Sequence, residues 1–216
     1  MYLTRMELDT RKRNTMKALV SPNLLHGAIE AAFSGERLRK LWRIDHLGSH
    51  CYILILSELK PQMEHAAEQF GISNTEKMWE TKEYSKLLER IKDGTIWHFR
   101  LTANPTKSCK NEYGVRGTVH AHITPYYQKK WLLDRCEKNG FAIKEDEVIV
   151  TQSQWQRFYK GAERRKVTIL SVTYEGTLIV TDTERFQKAL VNGIGRGKAY
   201  GMGMLTVVKA GDRKNE

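Results

Sequence analysis

The chain has 216 residues, 40% of them hydrophobic, and 36 Lys and Arg against 25 Asp and Glu give a formal net charge of +11. That length admits one large domain or two small ones, and the apolar content excludes a disordered tail. The cationic excess favours polyanionic partners through phosphate contacts, the alternative being a soluble basic protein with no such partner.

The longest purely apolar run, Cys51–Leu56, is far too short to cross a bilayer, so neither a membrane span nor a secretory segment is expected. Cys51, Cys109 and Cys136 are widely spaced and odd in number. They suggest neither a disulfide framework nor a structural zinc site, and a reducing cytoplasm is the simplest setting.

In chain order, Tyr2–Asp9 alternates apolar and polar residues and reads as a first strand. Ser21-Pro22 reads as a helix start, with Ser as cap and Pro at the first helical position. Leu25, Ala28, Ile29, Ala32 and Phe33 then share one helical face. Leu38–His46 and His50–Ser57 read as strands joined by a turn at Leu47-Gly48-Ser49, and Pro61–Phe70 as a helix ended by Gly71. A short edge strand near Met78–Thr81 and a charged helical turn complete the first half.

Asp93-Gly94 marks a break. Thr95–Ala103 reads as a strand stopped by Asn104-Pro105, and Pro125–Lys138 as a helix. Phe141–Thr151 is extended, and Gln154–Tyr159 and Lys166–Val180 are strand-rich, with Gly176 expected at a turn. Asp182 caps a helix reaching Val191, and a glycine loop leads into a last strand, Met204–Val208. Both halves thus follow a βαββαβ order. The fold expected is α+β, with two tandem ferredoxin-like (RRM-like) domains over 1–92 and 93–216.

Five of the sixteen glycines, Gly193, Gly195, Gly197, Gly201 and Gly203, fall within eleven residues together with Arg196 and Lys198. Exposed backbone N–H groups in such a loop can cradle an anion; packing of a helix against the last strand is the other reading. A Walker loop is excluded because Ala199 follows Lys198, and a dinucleotide fingerprint because its third glycine is missing.

The pattern Gly-Ile-Gly, five residues, Gly-Met-Gly resembles the glycine loop of the repeat-associated RNA-binding (RAMP) superfamily of CRISPR systems. Met1-Tyr2-Leu3-Thr4, the segment Phe99–Pro105 and Tyr174-Glu175-Gly176 narrow the resemblance to the CasE family. It runs nearly end to end and in order. It implies tandem ferredoxin-like domains and a cofactor-free, metal-independent endoribonuclease of antiviral defence. Its partners would be the repeat hairpin of precursor CRISPR RNA and the other subunits of the type I-E Cascade complex.

The resemblance places the catalytic histidine at His26. RNA is cut without a metal when its own 2′-hydroxyl attacks the adjacent phosphorus, and an imidazole can move a proton there at neutral pH. The bland alternative is a surface histidine paired with Glu30 at i+4. Family members carry a tyrosine three residues before this histidine. Here Asn23 stands in that place, able to hydrogen-bond but not to exchange a proton, which gives it a supporting role.

Arg157, Lys160, Arg164, Arg165 and Lys166, with a turn at Gly161, read as a basic hairpin suited to the phosphates of an A-form stem; a solvated loop is the alternative. With Arg196 and Lys198 they form the candidate RNA-binding set. His120 and His122 share a strand face but lack a third metal ligand at suitable spacing. Two competing functions stay open: a non-catalytic subunit that holds the CRISPR RNA hairpin, and an unrelated enzyme acting on a small phosphorylated substrate.

Overall fold

The computed structural model describes residues 1–34, 38–73, 77–109, 118–161 and 165–211. Strand β1 (Tyr2–Glu7) precedes helices α1 (Arg13–Val20) and α2 (Pro22–Ala31), strands β2 (Lys40–Leu47) and β3 (His50–Ser57), α3 (Glu64–Phe70), β4 (Trp79–Glu83) and α4 (Ser85–Arg90). There follow β5 (Ile96–Ala103), β6 (Thr106–Cys109), β7 (Thr118–Ala121), α5 (Pro125–Cys136), β8 (Phe141–Ala142), β9 (Val148–Lys160), β10 (Arg165–Val180), α6 (Thr183–Asn192) and β11 (Leu205–Lys209).

Two compact units result. The first comprises Met1–Arg90, Arg157–Thr168 and Lys198–Met202, and the second Ile91–Gln156, Ile169–Gly197 and Gly203–Glu216.

The first unit holds a four-stranded antiparallel sheet in the order β2-β3-β1-β4. Period-two alternation on β1 buries Thr4 and Met6, and α2 supplies Leu25 and Ile29 to a core completed by Trp42, Ile53, Ile55 and Phe70. The second unit has the order β11-β5-β10-β8, with β9 also paired to β10. Trp97, Phe99, Leu101, Leu132, Leu178 and Phe186 are buried there. Taken in each unit's own strand order, the two sheets repeat one plan. The fold is mixed α+β with duplicated βαββ-like units.

Three expectations need correction. Helix α1 is additional to the expected elements; Met16, Leu19 and Val20 share an apolar face at i, i+3 and i+4, but Met16 and Val20 are exposed and its buried residues are Thr15 and Ala18. Helix α3 begins at Glu64, not Pro61. Gly176 lies inside the unbroken strand β10 and not at a turn. A Cβ there would stand 2.0 Å from the Glu147 carbonyl oxygen, so glycine is required for close backbone approach. Elsewhere the capping argument holds for α6, where the Asp182 carboxylate accepts from the Arg185 N–H. Ser21 occupies the cap position of α2, but its side chain makes no capping hydrogen bond.

Arg43 is buried on β2 and donates through Nε and a terminal nitrogen to the two oxygens of Asp45, each at 2.7 Å. Replacing Asp45 with alanine leaves that guanidinium buried without its carboxylate. The expected loss is about 3–5 kcal/mol of unfolding free energy, read from urea denaturation.

Candidate functional site

Asn23 and His26 lie on α2 three residues apart, and Glu30 follows four residues later, so all three share one helical face. Imidazole Nδ1 of His26 is 3.9 Å from Glu30 Oε1, and Glu30 also pairs with Lys40 at 2.9 Å. The His26 side chain keeps 28% of its surface open to solvent. The Oδ1 atom of Asn23 is buried with no hydrogen-bond partner among the described residues. A buried acceptor left in that state costs free energy.

Helix α2 packs against the short helical turn Lys198–Tyr200, which belongs to the same unit. The end of β9 joins this set. Phe158 is buried and meets the Tyr200 ring edge-on at 5.0 Å, and Lys160 Nζ lies 5.9 Å from that ring's centroid. Alternation along β9 puts Phe158 and Lys160 on one face and Arg157 on the other. Arg157, Lys160, Arg165 and Lys166 are exposed; Arg164 lies outside the described residues. Burial, and then the Arg39 charge, hold the Lys198 ammonium below the usual lysine range. A phosphate placed here would relieve that cost.

The first unit therefore gathers Asn23, His26 and Lys198 with Phe158 and Lys160 at the end of β9. Gly193, Gly195, Arg196, Gly197 and Gly203 belong to the second unit.

All five loop glycines have φ between 71° and 87°. Two explain the pattern best. A Cβ at Gly195 would lie 3.0 Å from the Trp131 ring, and one at Gly201 would lie 2.9 Å from Trp42. The loop thus lays bare backbone on two buried indoles. In the second unit Gly203 N–H donates to the Thr102 carbonyl, and Arg196 bridges to Asn104. Tyr174, Glu175 and Gly176 pair with Leu101, Arg100 and Phe99. Three motifs distant in sequence thus meet around β5, and their visible work is packing.

His120 lies on β7 beside Thr118, while His122 lies beyond the strand end and stacks on Tyr127 at 5.9 Å. Among the described residues no group of three His, Cys, Asp or Glu side chains is placed to hold a metal ion. Burial pushes the Cys51 thiol up to about 11 and the Cys136 thiol up to about 12, so neither is a ready nucleophile at neutral pH. No helix among the described residues is long and apolar enough to cross a membrane.

Residues 1–209 match the family model described as CRISPR associated protein. The chain is 29% identical to the CRISPR-associated endoribonuclease Cse3 of Thermus thermophilus, covering 96% of this chain and 99% of that protein. It resembles the structure of CRISPR endoribonuclease Cse3 bound to 19 nt RNA, with a TM-score of 0.80 at 27% identity over 96% of this chain and 100% of that one. Thermus thermophilus Cse3 bound to an RNA representing a pre-cleavage complex is similar at a TM-score of 0.76 and 26% identity, over 96% of this chain and 98% of that one.

Proposed function

The chain belongs to the CasE (Cse3) family of CRISPR-associated proteins, and on that premise we propose that it binds the repeat hairpin of precursor CRISPR RNA and cuts at its base. It is an endoribonuclease. The finer fold reading, two tandem ferredoxin-like domains, is supported by the repeated strand order; their division at 1–92 and 93–216 is proposed with Arg157–Thr168 and Lys198–Met202 clustering with the first unit. The other Cascade subunits are the protein partners proposed.

In the reaction the 2′-oxygen bonds to phosphorus and the bond from phosphorus to the 5′-oxygen breaks. A 2′,3′-cyclic phosphate and a 5′-hydroxyl end result. The 2′ proton leaves, and the departing 5′-oxygen gains one. The nucleophile is part of the substrate, so no metal-bound water is needed to supply it. His26 is the group in this set suited to move a proton near neutral pH. Asn23 offers a hydrogen bond to a hydroxyl or phosphate, and Lys160 and Lys198 neutralise the phosphate and the charge that grows on it.

One observation carries this reading. Helix α2, with His26 and Asn23, packs on the Lys198–Tyr200 turn that Phe158 and Lys160 of the basic hairpin also contact. That contact supports reading proton transfer and phosphate binding in one compact unit.

A repeat hairpin with a single 2′-deoxynucleotide at the scissile position is expected to bind normally and remain uncut, while the all-ribose hairpin is cut in excess chelator. Cleavage of the deoxy substrate at that bond would refute 2′-hydroxyl attack.

A further inference from the structure

The second unit carries a cavity of about 510 Å³ that, Arg196 apart, the proposed function leaves unused. We propose that this cavity receives one unpaired nucleotide, its base against the aromatic faces and its phosphate on the cations. The inference deepens the proposed function and rests on it for the favoured source, the single strand flanking the hairpin. A free nucleotide presents the same chemistry.

Charge is the first argument. Among the described residues, Lys107, Lys130, Arg135 and Arg196 line the cavity against one carboxylate, Asp134, which already pairs with Lys130 at 3.3 Å. Arg135 is partly buried, and that burial pushes its guanidinium pKa down, a cost that an incoming anion offsets. Thr106 and Ser108 add hydroxyl donors on the same wall.

Planar surfaces are the second argument. His122 stacks on Tyr127 with an interplanar angle of 24°, and about half of Tyr127 is exposed. The Arg135 guanidinium lies 4.1 Å from the Trp131 ring centroid and donates to the Trp131 carbonyl at 2.8 Å. The half-exposed Tyr127 ring and the Arg135 guanidinium plane are platforms of the kind on which splayed-out bases of single-stranded RNA stack, while buried Trp131 backs the guanidinium. The volume falls within the range of small-molecule sites, roughly 300–1,000 Å³, and is well above what a bare phosphate fills.

Burial, followed by Arg135 and Lys107, holds the His122 pKa below the usual histidine range, so the ring is neutral at pH 7. A neutral imidazole both donates and accepts, as the edge of a base requires.

The test compares a bare repeat hairpin with the same hairpin carrying a five-nucleotide single-stranded flank, on the full chain. The flank is expected to tighten wild-type binding about tenfold, within the range of one base stacked on an aromatic ring. Tyr127→Ala should remove that gain and leave bare-hairpin affinity and cleavage unchanged, while Tyr127→Phe should retain it. A gain that survives Tyr127→Ala overturns the proposal, as does a flank without effect when AMP also fails to shift His122 in the second arm.

A second arm does not need the hairpin. Five-nucleotide single-stranded RNA, AMP and inorganic phosphate are each titrated while the His122 ring is followed by NMR. A His122 shift with the oligonucleotide supports the site even if the hairpin fails to bind, an outcome that would refute the proposed function alone. AMP binding as tightly as the oligonucleotide supports the same pocket with free nucleotide as its source. No shift with any nucleotide, or an equal shift with phosphate alone, overturns the proposal.

Discussion

Exchange of His26 for alanine is expected to slow cleavage of the repeat hairpin by about 10²–10⁴-fold in single-turnover assays, with the Kd for the hairpin little changed. The loss can be separated from unfolding by magnitude. The contact between His26 and Glu30 is long, at 3.9 Å, and Glu30 is already paired to Lys40 at 2.9 Å. A partly exposed i,i+4 pair stabilises a helix by only about 0.2–0.5 kcal/mol. A rate loss of the expected size corresponds to about 3–5 kcal/mol of transition-state stabilisation, so a fold effect cannot stand in for it. Unchanged thermal unfolding beside a collapsed rate is the expected pair of results. Equal rates in the two proteins would remove His26 from the chemistry and favour a subunit that only holds RNA.

Much of this fold is written in short-range pattern. Strand β1, the β2–β3 hairpin, β5 and the Asp182 cap follow from alternation, turn residues and capping chemistry. What escapes depends on contacts between distant residues. Helix α1 buries Thr15 and Ala18 and leaves Met16 and Val20 exposed, so its apolar periodicity does not point to its core face. Gly176 looks like a turn residue until Glu147 is known to lie against it. The glycine loop shows the same division. Its composition equally fits an anion cradle or a packing element, and only the positions of Trp42 and Trp131 show that two of its glycines pack on indoles.

The candidate site divides in a similar way. The shared face of Asn23 and His26 follows from helical spacing alone, whereas the role of His26 entered through family resemblance. The contact of α2 with Lys198–Tyr200 joins positions near opposite ends of the sequence, and no local rule anticipates it. The cavity of the second unit is equally hidden, because β6, α5 and the glycine loop each contribute to its wall.

Removing the charges of Arg157, Lys160, Arg165 and Lys166 together is expected to weaken hairpin binding by about 10²–10³-fold near 0.1 M salt. The slope of log affinity against log salt should fall by about three, following the release of roughly one counterion for each phosphate neutralised. All four side chains are exposed, so their substitution should cost little stability. Their placement argues for a grip on RNA more than for simple solvation. The end of β9 is anchored by buried Phe158 against Tyr200, which reduces the entropy lost when phosphates bind there. A-form RNA hides its base edges in a deep major groove, so cations on this hairpin would meet the stem through its phosphates. The salt slope is therefore the discriminating measurement. If affinity falls while the slope is unchanged, the substitutions have disturbed the hairpin and not its phosphate contacts. If neither changes, the four cations face solvent in the complex and the stem is held elsewhere.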